Sequence, residues 1–534
     1  MQSLRCHNTI GFDQNFDKIA KQEQKMQKQE KQQTKESTFL GKIVWILIGI
    51  LVAYGIRLYL SEFQNINCII NGDQIIMENS GMFIRDAGVA HLSSQLNQNV
   101  QATKLIADLG INQISDLTIF FESLGYLTKL KELKLSFGNN PIINQESQVM
   151  KLVDTLSKLK ELEHLNLGMD SILNNQSRLK IIQQVSKIPE LTTLRISLIS
   201  CDLSEEGIKS LAPLAEMKNL KALDLILVGS KLKEKEMESL QLILSKLPKL
   251  EKLNLNLYAN KIQHDGVKTL SVGLQQQIQV REFGIDLYFN NITYNGTESL
   301  MKVVEQMNNV TKLNLGLEFN YIKDEGGIYV GNTLTQLKQL KELSINAATK
   351  NFGWVGFEAI LVAIEKLPPL DKLELVIGVN KCGPKGAELL KNVLYKHNKL
   401  KSLRINYLEN YIGDAGATFI ADGIQYQSQL EELHVNMNFN SFSDRGALEL
   451  ARAVKNAKSP KVVQLKVSQN QLTDKGIKDM LQLLEQSLSK LDSLNVEILN
   501  TALTNATRDD IETKYGNVEK LSLKLNTIPP SNWD

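Results

Sequence analysis

A period of thirty residues constrains this 534-residue chain more than any other feature. Leucine or valine opens successive segments at Leu250, Val280, Val310, Leu340, Leu370, Leu400 and Leu430, and the apolar spacing after each is nearly the same. Further units start at Leu130, Leu162, Leu191 and Leu220, and later ones at Val462, Leu491 and Val518. Two degenerate units come first, one marked by Ile75, Met77, Ile84, Asp86 and Gly88, the other by Leu105, Leu109, Asn112 and Ile114. About sixteen units result, from residue 70 onward. A unit this short cannot bury its apolar face alone, so neighbours must stack into an array.

Each part of the unit has a physical task. Leu253, Leu255 and Leu257 alternate with Asn254, Asn256 and Tyr258, the two-residue period of a strand with one buried face. Asn260 follows where the chain must turn, and Asn recurs at 290, 320, 380, 410, 440 and 470. A buried amide there can satisfy backbone groups that the turn leaves unpaired, so a ladder of amides is expected. Asp414-Ala-Gly416, Asp444-Arg-Gly446 and Asp474-Lys-Gly476 then read as N-caps of the helix that follows. Ala447, Leu450, Ala451 and Val454 give that helix its apolar face, and Pro189, Pro248 and Pro368 stop helices before the next strand. Most units carry two more residues before the Asn than the unit at Val462, which predicts longer strands in the majority. The unit at Leu340 shifts its Asn to Asn351 and adds Phe352 and Trp354, the tryptophan being read as packing filler.

On these residues the array resembles leucine-rich repeats of the ribonuclease-inhibitor type, the class that includes Ran GTPase-activating proteins. The resemblance implies an α/β leucine-rich repeat solenoid, a curved horseshoe with a parallel sheet on the concave side and helices on the convex side. It says much about fold and little about function.

The first residues are different in kind. Residues 1–38 are rich in Lys and Gln and read as a disordered tail, with Lys18, Lys21, Lys25, Lys28 and Lys35 at near-helical spacing. Ile43–Ile56 is free of charge and bounded by Lys42 and Arg57; a helix from Ile43 to Leu60 would be about 27 Å long. Residues 39–60 are therefore expected to be one N-terminal transmembrane helix, a signal anchor, followed by a linker over 61–72 and the repeat domain over 73–534. Five Lys or Arg lie in 22–42 and one in 57–77, so the tail is placed in the cytosol and the repeats in a lumenal or extracellular space. The mostly polar stretch ahead of the apolar run speaks against a cleaved signal peptide. Sequons at Asn175, Asn291, Asn295, Asn309 and Asn505 are compatible with that side but occur at chance frequency.

Basic and acidic residues nearly cancel (61 against 59), so no global field favours nucleic acid. The cysteines, Cys6, Cys68, Cys201 and Cys382, are too scattered for a disulfide framework or a zinc site. Phosphate-loop, kinase, zinc-protease and nucleophile-elbow motifs are missing, and the six His residues fall in different units. No cofactor, small-molecule substrate or enzymatic activity is expected. The concave wall is the expected binding surface, for a protein or a glycan, through Asn254, Asn256, Tyr258, Asp286, Tyr288, Asn314, Glu318, Asn346, Arg404, Asn406, His434, Asn436 and Asn438. Ile199, Ile226 and Val228 would add a smaller apolar stretch toward the N-terminal units. The alternative function is GTPase activation of the Ran-regulator kind.

Overall fold

The structure is a computed structural model that describes residues 66–141, 145–170, 174–348, 353–499 and 503–526. The chain divides at residue 66, with Asn67–Asp534 forming the second compact unit. No helix among the described residues is long and apolar enough to cross a membrane. The tail and the expected span at 39–60 lie outside the described residues, as do Asn351 and Phe352.

From Gln74 to Asn526, sixteen strands pair in parallel in the order of the chain, each followed by its helix or helical turn until the last. A short strand, Ile69–Asn71, pairs antiparallel with Gln74–Glu78 and occupies the first edge. The linker expected over 61–72 thus contains an edge strand. Along most strands burial alternates, as in Lys252–Asn256, where Leu253 and Leu255 are buried and Lys252 and Asn254 are exposed. The buried side chains meet the apolar faces of helices such as Asp444–Asn456, which buries Ala447, Leu450, Ala451 and Val454. Helices are about 10 Å across and strands about 4.8 Å apart, so stacking one of each per repeat bends the sheet toward its helix-free face. That open face is the concave wall.

The amide ladder forms as expected. Asn260 donates from Nδ2 to Leu227 O and Leu257 O and accepts at Oδ1 from Ser230 N and Leu232 N, so one side chain joins two repeats. Asn112, Asn140, Asn290, Asn320, Asn380, Asn410, Asn440 and Asn470 are likewise buried, and each donates to a carbonyl of the preceding repeat.

Two expectations are corrected. The strands are not lengthened: they run to five residues, the exceptions being Ser493–Leu499 and Leu521–Asn526 at the C-terminal end and Ile69–Asn71 at the other. Past the strand the backbone ladder continues only at alternate positions, as from Leu257 N to Asp286 O and from Ala259 N to Tyr288 O, and side chains take the groups between. Asn256 Oδ1 captures Tyr258 N, and Asn260 Nδ2 captures Leu227 O. Nor is the unit at Val462 shorter. Val462 pairs with Glu432 and Val463 with Leu433, so the unit begins at Pro460 and has the common spacing. Pro460 in the place of the opening leucine caused the misreading.

The Asp-x-Gly triplets also work differently from expectation. Ser443, Thr473 and Thr504 are the side-chain N-caps, and the aspartates reach across to the next repeat. Asp414 accepts from Ser443 N, Ser443 Oγ and Gly446 N. Asp444 binds Thr473, and Asp474 binds Thr504 and Thr507, in the same manner. The capped hydroxyl thus donates to one repeat's carboxylate while accepting an N–H of its own helix. Glycine is required where the brace lands: a Cβ on Gly446 would lie 2.9 Å from Asp414 Oδ1.

Candidate binding face

Three rows of side chains project from the open face, and sheet register defines the first two. One row runs Asp224, Asn254, Gly284, Asn314, Ser344, Glu374, Arg404, His434 and Gln464. The next runs Ile226, Asn256, Asp286, Gly316, Asn346, Val376, Asn406, Asn436 and Lys466. Tyr258, Tyr288, Glu318 and Asn438 stand two residues past their strands. All thirteen residues singled out from the sequence are exposed or half-buried on this face. They fall into two patches, separated by the repeat carrying Glu374 and Val376.

The C-terminal patch holds Arg404, Asn406, His434, Asn436 and Asn438. Its oxygens are largely engaged: Asn406 accepts from Leu408 N, Asn436 from Asn438 N, and Asn438 from Ser468 N. The first two are turns closed by a side-chain amide, which explains why Asn suits the strand ends, and the third links neighbouring repeats. Arg404 lies 3.5 Å from Glu374, and His434 Nδ1 is 3.1 Å from Gln464 Oε1. What remains to offer a partner is chiefly amide N–H.

The N-terminal patch holds Asn254, Asn256, Tyr258, Asp286, Tyr288, Asn314, Glu318 and Asn346, and it is rich in acceptors and aromatic rings. Tyr258 and Tyr288 stack at 4.3 Å between centroids, and Tyr288 meets Phe319 at 5.0 Å. Asp286 closes the same kind of turn as Asn256, accepting from Tyr288 N at 3.0 Å. Its carboxylate lies over Gly316, where an added Cβ would come within 2.6 Å of it. Burial pushes the Asp286 carboxyl up, against the lowering effect of that N–H. Glu318 is also raised, by burial and by the charge of Asp286, while a hydrogen bond from Asn346 opposes the shift. Burial and neighbouring Tyr258 and Glu318 raise the Tyr288 hydroxyl. Asn346 Oδ1 is buried with no hydrogen-bond partner among the described residues.

A shallow groove crosses the strand starts over Gly284, lined in part by Arg195, Asp224, Lys252, Asn254 and Asn314. Its charges are already matched, Arg195 to Asp224 and Lys252 to Glu282. Of the apolar residues expected farther toward the N-terminus, Ile199 is exposed and Ile226 and Val228 are half-buried. Trp354 packs 6.2 Å from Phe357 with Lys385 Nζ over its ring.

Sequence reasoning missed Phe289, Phe319 and Tyr321 beside the N-terminal patch, all more than half exposed. The signal was present, because Phe289 and Phe319 immediately precede ladder asparagines. No group of three or more metal-ligating side chains occurs among the described residues.

No known family matches the sequence, and no curated protein matches it either. Among solved structures, the chain is similar to one in the crystal structure of the Rad7 and Elc1 complex in yeast, with 14% identity and a TM-score of 0.42 over 92% of this chain and 98% of that one. A chain in the TLR13–ssRNA13 complex has 12% identity and a TM-score of 0.18 over 86% and 96%. At these scores the array's own strand register and amide ladder define its fold.

Proposed function

We propose that the chain is a non-enzymatic recognition or scaffold protein that binds a protein partner on the open face of a ribonuclease-inhibitor-like repeat array and is held at a membrane by residues 39–60. One observation carries the binding reading. Thirteen polar and aromatic side chains stand on a helix-free sheet whose strands are fixed by the ladder, a rigid platform for hydrogen-bonded contact. The membrane reading rests on the uncharged run Ile43–Ile56 and on the excess of basic residues before it, which assigns the tail to the cytosol.

Both parts are testable in the full chain. A photo-crosslinking residue at Asn314, on the open face, should give protein adducts in cells that the same residue at Glu449, on a helix, does not. Equal adducts from both positions would overturn the binding reading. Alkaline carbonate should leave the full chain with the membrane and release a variant lacking 39–60; release of both would remove the anchor.

A further inference from the structure

We infer that the N-terminal end of the array docks on the lipid surface, with Met82, Phe83 and Ile111 seated among the headgroups. This rests on the proposal that residues 39–60 span a membrane, and it names the part of the array that meets the lipid.

Exposure is the first argument. Phe83 and Ile111, at 72% and 63%, are the most exposed large apolar side chains among the described residues, and Met82 is 47% exposed. The fold does not require them. The pairing of Gln74–Glu78 with Lys104–Asp108 continues in the bond from Gly81 N to Gly110 O, so Gly81, Met82 and Phe83 correspond to Ile111, Asn112 and Gln113. Glycine thus serves where Ile111 stands and glutamine where Phe83 stands, while Met82 takes the place of a buried ladder amide. Phe83 and Ile111 are also left-handed, at φ 58° and 54°, a conformation that is most costly for a β-branched residue. Side chains standing in solvent do nothing to offset that cost.

Position is the second. Residues 81–84 run beside 110–113, joined by Gly81 N to Gly110 O, Ile84 N to Asn112 Oδ1 and Gln113 N to Ile84 O. The three apolar side chains therefore share one stretch of rim, past the strand ends of the first two repeats. The chain enters the array on that same stretch: Asn67 N donates to Asn79 Oδ1, and Asn79 Nδ2 donates to Asn67 O. Leu60 and Asn67 are seven residues apart, a reach of at most about 24 Å, so an anchor at 39–60 keeps this rim within range of the headgroups.

Chemistry is the third. Residues 79–84 and 109–114 carry no charge, in a chain of which 22% is charged. A charge there would have to stay in water, whereas apolar side chains settle about 5–10 Å into the boundary of headgroups and acyl chains. Of the twenty-one exposed large apolar side chains among the described residues, nine lie between residues 69 and 150, so apolar exposure is concentrated at the end that follows the span.

The test uses the full chain in phosphatidylcholine vesicles, with Cys6→Ser and Cys68→Ser so that only an added cysteine takes an environment-sensitive fluorophore; Cys201 and Cys382 are buried. The fluorophore is attached at Met82→Cys, Phe83→Cys or Ile111→Cys, and at Phe439→Cys as the control. Phe439 is likewise exposed, left-handed and set in an uncharged turn, and it lies far along the array. We expect a nitroxide on the lipid headgroup to quench the three N-terminal sites by about half and the control by no more than about a tenth. With the label at Met82→Cys, F83S/I111S should lower the quenching roughly threefold. Serine suits both places, since Ser200 and Ser441 are left-handed, and thermal melts check that the variants fold. Equal quenching at Phe439→Cys, or none at the three sites in protein that resists carbonate, would overturn the inference and leave the anchor intact. A shielded fluorophore that the nitroxide lipid fails to quench would mean that protein covers this rim, a second copy or a partner, and would overturn it too. Release of the full chain by carbonate would remove the anchor and this inference with it.

Discussion

Two stretches of the array present different chemistry on the open face and are tied together differently behind it. Around residues 410–510, each helix start is braced to the next by an aspartate: Asp414 to Ser443, Asp444 to Thr473, Asp474 to Thr504. Around 260–300, the brace position holds His264 and then Tyr294, and the receiving hydroxyl of Thr293 is buried without a partner. Gly296 is still there to accept the brace, its Cβ position 3.1 Å from His264 Cα. The amide-rich patch therefore sits over braced repeats, while the aromatic and acidic patch begins over two repeats that lack the brace carboxylate and ends over one in which Asp324 accepts from Gly356 N. The same ladder runs beneath both. What differs between the two stretches is decided by single side chains at fixed places in a shared frame.

The largest expected effect tests that shared frame. Asn290→Ala removes the acceptor of Ile262 N and the donor to Leu257 O and Tyr288 O, all at the buried turn. Asn410→Ala does the same to Asn380 N, Cys382 N, Ile377 O and Leu408 O. Leaving buried backbone groups unpaired should cost roughly 2–4 kcal/mol locally in each case. Repeat arrays open in segments, so the measurement is hydrogen exchange resolved by peptide along the chain. A cost at one site several times that at the other would show that the two stretches differ in frame as well as in side chains.

Next comes the brace itself. Asp444→Ala strips Thr473 of two hydrogen bonds and should destabilise the helix Asp474–Glu485 by about 1 kcal/mol. The converse is more demanding. His264→Asp supplies a carboxylate to the orphaned Thr293 hydroxyl and a negative charge to the first turn of a helix, so it should stabilise by about 0.5–1 kcal/mol. Slower exchange over 263–304 would convert the unbraced stretch into the braced kind. Unchanged or faster exchange there would mean that the brace depends on more than the aspartate.

How much of this was readable beforehand depends on whether a side chain acts within its own repeat. The strand periodicity, the helix faces and the ladder asparagines follow from local spacing, and all were legible. Local pattern assigns Asp414, Asp444 and Asp474 to their own helices, because the partner of each lies in the next repeat, across an interface that no local pattern reveals. Strand length failed for a related reason. Leu257 continues the apolar alternation and its N–H still reaches Asp286 O, yet Asn256 and Asn260 divert the alternate rungs onto their side chains. On the open face, alignment placed the thirteen residues correctly, since register is constant. It could not show that the oxygens of Asn256, Asn406 and Asn436 close turns, or that Phe289 and Phe319 stand exposed beside the patch.

The smallest expected effect distinguishes the two stretches by the sign of their response to pH. Asp414 and Asp474 are held below the usual carboxylate value of 3.8; burial pushes each up, but hydrogen bonds from the neighbouring repeat outweigh it. A depressed carboxyl stabilises the fold above its unfolded value, and that contribution is lost as pH falls below about 4. Asp286 and Glu318 are raised above 3.8 and 4.5, so their ionised forms oppose folding at neutral pH, and acidification toward those values relieves the opposition. D286N/E318Q should therefore stabilise residues 282–320 at pH 7, within roughly half a kcal/mol because both groups are partly exposed, and the gain should vanish by about pH 4. Asp474→Asn should instead weaken residues 474–510 at pH 7, with the difference shrinking only below pH 4. Exchange measured from pH 7 to pH 4 on both variants reads the two slopes side by side. A stabilisation by D286N/E318Q that grew on acidification would mean that a cation already neutralises those carboxylates in the free protein, and the contrast between the patches would then lie in occupancy.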